Sequence, residues 1–168
     1  MPKAYAPPPT AQGRCYLRNV RAADLVEPFP TVGIDDDAMD AARLMAEQRL
    51  VGVIVMDPDG RPHAVLPGSQ LLRMVVPPYI QADPALARVV DERHADLMCA
   101  RLAGKRVRDV LPDEKIGLAV VEPDATAMEI AALMSQSHTP LVAVLDGDRY
   151  VGAITASGLF RRLLAVTT

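Results

Sequence analysis

A chain of 168 residues, half of them apolar and only 4% aromatic, is long enough to bury roughly 70% of its unfolded surface in one compact body. Its formal charge of −3 lacks the basic excess that neutralises nucleic-acid phosphates, so nucleic acid is not an expected partner. No run approaches the roughly 18 apolar residues of a membrane span, and the opening MPKAYAPPPTAQG has no signal-like apolar core, so a soluble, cytoplasmic protein without direct membrane insertion is expected.

In chain order, residues 1–18 carry Pro7, Pro8 and Pro9 with little apolar periodicity, which predicts a flexible arm of polyproline character. A first unit, 19–76, opens with Arg21 to Val26 and an extended stretch ending at Thr31 to Ile34. Asp35, Asp36 and Asp37 then precede Ala38, Met39, Ala42, Met45 and Ala46, whose spacing predicts a helix with one apolar face. Three acids at a helix start suit its positive end, so capping rather than a divalent metal is expected. A buried strand follows from Val51 to Met56, then the turn Asp57-Pro58-Asp59-Gly60, a second strand at Ala64 to Leu66, and a closing helix near Ser69 carrying Leu71, Leu72 and Val75.

Residues 77–104 form a connector. Pro77-Pro78 marks a break, and Asp83-Pro84 starts a predicted helical stretch through Leu86, Val89, Val90, Ala95, Leu97 and Leu102 up to Gly104. Its charged residues, from Arg88 to Asp96, read as a solvated helix side.

The second unit, 105–168, runs through Arg106 to Leu111, an extended stretch at Leu118 to Glu122, a helix from Ala127 carrying Ile130, Ala131 and Met134, a strand at Leu141 to Leu145, the turn Asp146-Gly147-Asp148, a strand at Tyr150 to Thr155, and a closing helix near Ser157 with Leu159, Phe160, Leu163 and Leu164. A shift of 89 positions lays Val32, Asp35, Ala38, Met39, Ala42, Leu44, Met45, Val53 and Val55 onto Val121, Asp124, Ala127, Met128, Ala131, Leu133, Met134, Val142 and Val144. The match respects both a helical face and the following strand, so one strand–helix–strand–strand–helix unit is used twice.

Catalysis finds little support. There is no serine or cysteine nucleophile motif and no GxxxxGK[ST] loop, and His63, His94 and His138 lack metal-ligand spacing. Cys15 and Cys99 have no CxxC spacing, so no disulfide framework is indicated, and a redox role for Cys99 lacks an activating pair. The recurring Met39, Met45, Met128 and Met134 fit core packing or dimer contact.

The element order and the ending Val151-Gly152-Ala153-Ile154-Thr155-Ala156-Ser157-Gly158-Leu159-Phe160-Arg161 resemble a cystathionine β-synthase (CBS) domain, and both units share the resemblance. It implies an α/β (α+β) fold: two tandem motifs, each a small mixed sheet packed with helices, related by pseudo-twofold symmetry as a Bateman module. Such motifs usually end in an apolar strand, a glycine, a threonine or serine, and an aspartate three residues on. The second unit has Gly158 at the aspartate position. The first lacks the glycine and the threonine and has Gln70 there.

The resemblance further implies clefts for an adenosine-containing ligand such as AMP, ADP, ATP or S-adenosylmethionine, with no catalytic residue and no metal. In the second unit His138, Thr139, Pro140, Leu141 and Val142 would form the entry and adenine slot, while Thr155, Ser157 and Gly158 would face ribose or phosphate. Arg161 and Arg162 could reach phosphate or stand as solvated positions after the apolar helix face. In the first unit the corresponding residues are Arg49, Leu50, Val51, Gly52, Val53, Pro67, Ser69 and Gln70. Proline lacks both a hydroxyl and a backbone donor, so the first unit makes the poorer ribose site. The implied role is regulatory sensing by a homodimer acting on a separate transporter, channel or enzyme, the alternative being a ligand-independent dimerisation or protein-interaction module.

Overall fold

The computed structural model describes residues 19–89, 100–112 and 118–164. The arm, most of the connector's charged stretch, Cys15, His94 and Cys99 lie outside the described residues.

The first unit comprises α1 (Ala22–Leu25), β1 (Thr31–Gly33), α2 (Ala38–Gln48), β2 (Gly52–Met56), β3 (Pro62–Pro67) and α3 (Gly68–Val75). The second comprises α5 (Val107–Val110), β4 (Ala119–Val121), α6 (Ala127–Ser137), β5 (Leu141–Asp146), β6 (Arg149–Thr155) and α7 (Ala156–Leu164). Each unit forms a three-stranded mixed sheet, ordered β1-β2-β3 and β4-β5-β6. The first strand runs parallel to the second, which pairs antiparallel with the third. Gly52 lies opposite Pro67 as Leu141 lies opposite Thr155.

Local chemistry sets the element ends. Asp37 caps α2 by accepting from the Met39 amide at 2.7 Å, and Thr126 with Glu129 forms a reciprocal capping box on α6. Asp36 instead accepts from the Gly33 amide at 2.6 Å. Both long helices end in a left-handed residue, Arg49 (φ 54°) and His138 (φ 53°), which turns the chain directly into β2 or β5. In the first hairpin Asp57 accepts from the amides of Asp59 and Arg61 at 3.0 and 2.8 Å, while Gly60 takes φ 78°.

Two features depart from the sequence reading. Each unit opens on a one-turn helix, α1 or α5, too short to show apolar periodicity. In the connector, α4 (Pro78–Ala82) starts at once after Pro77, with Pro78 at its first position, and the ends of the expected helical stretch are 3-10 turns, Pro84–Val89 and Ala100–Leu102, its middle lying outside the described residues. Pro84 has no amide to continue α4 and pushes Asp83 into an extended conformation (φ −137°).

The opening segments pack crosswise. Val20, Ala22 and Leu25 join Ile130, Val142, Val144, Ile154 and Leu159 of the second unit in one core. Leu102, Val107 and Val110 join Ala41, Met45, Val53, Val55 and Leu66 of the first in another. Backbone bonds fix the exchange: the Ala22 amide donates to the Ala125 carbonyl at 2.8 Å, and the Val107 amide to that of Asp36 at 2.9 Å. A third cluster of Ile54, Val65, Leu141, Ala143 and Ala153 lies where the two sheets meet. Each fully buried aliphatic side chain contributes about 1.5–3 kcal/mol, so neither unit keeps its full core without the other's opening segment.

Candidate functional site

In the second unit, β5 begins immediately after Pro140 and β6 ends at Thr155. Because Leu141 pairs with Thr155 and the Ala156 amide donates to the Pro140 carbonyl at 2.9 Å, the stretches 138–142 and 155–158 lie side by side at the amino end of α7. Thr155 is the cap of that helix: its hydroxyl accepts from the Gly158 amide at 3.0 Å and lies 3.0 Å from the Ser157 hydroxyl. An added Cβ at Gly158 would sit 3.2 Å from the Thr155 hydroxyl, so the glycine relieves crowding on the cap as well as removing a carboxylate.

The remaining predicted residues take distinct places. His138 is exposed, its Nδ1 lying 3.1 Å from the Gln136 carbonyl. Thr139 is buried, and its hydroxyl lies 2.8 Å from the Ser137 hydroxyl and donates to the Leu141 carbonyl at 3.2 Å. Thr139 therefore braces the turn. Leu141 is buried at the sheet–sheet contact and Val142 within the second core.

The first unit repeats the frame with different side chains. The Gly68 amide donates to the Val51 carbonyl at 2.9 Å, bringing Arg49, Leu50, Val51 and Gly52 beside Pro67, Ser69 and Gln70. Pro67 provides no side-chain cap for α3. Val53 is fully buried in the core, whereas Val51 is 78% exposed.

A further group borders the second site and carries no sequence motif. The Glu27 amide donates to the Ala153 carbonyl and the Ala153 amide donates back to the Glu27 carbonyl, both at 3.0 Å. This clamp requires Gly152, because a Cβ there would lie 2.5 Å from the Glu27 carbonyl oxygen and 2.9 Å from Val26 Cγ2. The Glu27 carboxylate accepts from the Arg161 guanidinium on α7 at 3.4 Å. Glu27 and Arg161 are 134 residues apart, so only the fold brings them together.

Two depressions are present, one against the first-unit stretches at Leu50 and Gly68 and one beside α6. A largely apolar one of about 460 Å³ runs between α2 and α3, lined by Met39, Ala42, Leu50, Leu71, Leu72 and Val75. A mixed one of about 610 Å³ lies beside α6, with Arg21, Asp124, Thr126 and Glu129 as well as Val121 and Leu133 on its wall. The Thr126 amide hydrogen bond holds the Glu129 carboxyl below its usual pKa, helped by the Thr126 hydroxyl. Arg21 donates to the Asp124 carbonyl at 2.6 Å and, in the equivalent clasp, Arg106 donates to the Asp35 carbonyl at 3.2 Å. The Asp35 carboxylate also pairs with Arg108. Among the described residues no three His, Cys, Asp or Glu side chains gather as a metal site, and no helix is long and apolar enough to cross a membrane.

A protein-family model, the CBS domain, matches residues 22–76 and 107–165. Among solved structures, a CBS domain-containing protein of unknown function from Kribbella flavida is 48% identical, with a TM-score of 0.77 over 84% of this chain and 96% of that one. The CBS domain of a CBS domain-containing membrane protein from Sphaerobacter thermophilus is 24% identical, with a TM-score of 0.65 over 88% and 90%. CBSX2, solved in complex with AMP, is 18% identical, with a TM-score of 0.62 over 88% and 98%. No curated protein sequence matches the chain significantly.

Proposed function

The chain belongs to the CBS domain family as a tandem pair, and we propose that it is a cytoplasmic, non-catalytic sensor that binds an adenosine-containing ligand and modulates a separate protein. The observation that carries this reading is the placement of Pro140–Leu141 against Thr155–Gly158 at the amino end of α7, with the Arg161–Glu27 ion pair one turn further along that helix. That arrangement offers backbone groups for a base edge, hydroxyls and a carboxylate for ribose, and a cation for phosphate. CBSX2, with AMP bound, supports the ligand class.

A homodimer through the helices belongs to the same reading. Leu72 and Phe160, at corresponding positions of α3 and α7, are 65% and 59% exposed, and Met128 of α6 is 63% exposed. Apolar side chains of this size, repeated on both halves, suit burial against a second copy. The same faces favour a second reading, a ligand-independent interaction module, because the Thr155 hydroxyl is already engaged by the Gly158 amide.

Thermal unfolding with AMP, ADP, ATP and S-adenosylmethionine, against a ligand-free control, separates the two. Saturation at 100 times the dissociation constant stabilises the fold by about 2.7 kcal/mol. A melting temperature unmoved by all four ligands would leave the interaction module as the function.

A further inference from the structure

We infer that Glu27, contributed by the opening segment of the first unit, is the ribose-hydroxyl acceptor of the second unit's site, in place of the carboxylate missing at Gly158. This rests on the adenosine reading above and assigns a residue within it.

The argument starts at the backbone. Glu27 is held by a reciprocal pair of hydrogen bonds to Ala153, two residues before Thr155, and that approach depends on the absent side chain of Gly152. Its carboxylate reaches Arg161, which follows Gly158 by three residues and therefore lies one helical turn along the same face of α7. The Glu27 carboxylate thus meets α7 one turn beyond position 158, on the face from which an aspartate at 158 would project. A carboxylate there accepts two vicinal hydroxyls through its two oxygens, while the neighbouring guanidinium remains a donor for a 5′-phosphate.

The first unit lacks this device. After the corresponding one-turn helix α5, Pro112 occupies the place that Glu27 holds after α1. Proline has no carboxylate and no amide to form the clamp, and the Gly152 position is taken by Ala64. The glycine, the clamp and the acid occur together on one side of the pseudo-twofold, where Thr155 also stands.

Calorimetric titration tests the assignment with AMP and with its analogue lacking both ribose hydroxyls. Glu27 is exposed, so Glu27→Gln is expected to keep the unfolding transition. It should weaken AMP about tenfold and leave the dideoxy analogue unchanged. Arg161→Gln should weaken AMP more than adenosine, and Gly158→Asp added to Glu27→Gln should recover most of the lost AMP affinity. Equal losses for AMP and the dideoxy analogue, or no loss for either, would overturn the role of Glu27 while leaving an adenosine site in place. A wild-type chain that binds neither would overturn the site itself, and the assignment with it.

Discussion

The two halves share strand register, left-handed helix ends and even the arginine clasp on the neighbouring turn, yet they differ where each closing helix begins. In the second half a threonine caps the helix, a glycine follows at its third residue, and Glu27, clamped through its backbone, pairs with Arg161 further along the same helix. In the first half a proline leads into an uncapped helix, and the cleft side carries the exposed Val51. Duplication preserves what both cores need, while the helix starts, which no core holds fixed, have diverged. Polar side chains at the helix start are therefore concentrated in the second half, and an apolar groove marks the first.

The crosswise packing gives the largest expected effect. Leu25 is near the start of the chain but buried in the second core, so Leu25→Ala should cost about 2–5 kcal/mol. Amide exchange should show the protection lost mainly in β4–β6 and α6, whereas loss centred on β1–β3 would break the assignment of cores. Next comes Gly152→Ala, whose new methyl would press on the Glu27 backbone and should cost about 1–3 kcal/mol in denaturant unfolding. Ala64→Gly, at the matching place, should cost about 1 kcal/mol or less.

Thr155→Val removes the cap of α7 and should cost about 1 kcal/mol of stability, with a comparable further loss in AMP affinity if the hydroxyl also meets the ligand. Thr155→Ser is the control that keeps the oxygen. Pro67→Thr, which supplies the missing cap oxygen but releases the proline constraint, should change stability by less than about 0.5 kcal/mol. Equal responses at the two positions would erase the contrast between the halves.

The smallest effect concerns Tyr150, whose hydroxyl is buried with no hydrogen-bond partner among the described residues and whose position in the first half is held by Pro62. Burial raises its pKa from 10.0 to about 12, so the fold favours the neutral phenol. Its contribution is complete below pH 10 and is lost as pH rises toward 12. Phenolate absorbance should titrate late in the folded protein, and Tyr150→Phe should remove this alkaline loss with little change at neutral pH.

The duplicated frame is legible in the sequence because apolar spacing changes from helical to strand-like at corresponding places, and because Asp57-Pro58-Asp59-Gly60 and Asp146-Gly147-Asp148 mark the hairpins. The one-turn helices are not legible: Ala22–Leu25 and Val107–Val110 have no period to read, and their exchange between cores is a tertiary fact. Pro140, Thr155 and Gly158 can be placed from the motif. Glu27 cannot, since its approach depends on a missing Cβ at Gly152, far along the chain. The core positions of Val53 and Val142 follow from β-strand burial, which a motif position alone does not distinguish from a cleft wall.

The most direct measurement is an AMP titration followed by amide chemical shifts. A sensor centred on the second half should show saturable shifts at Leu141, Thr155, Ser157, Gly158 and Glu27, with weaker changes at Val51, Ser69 and Gln70. Shifts confined to the first-half residues, or a spectrum unchanged by saturating AMP, would contradict the account.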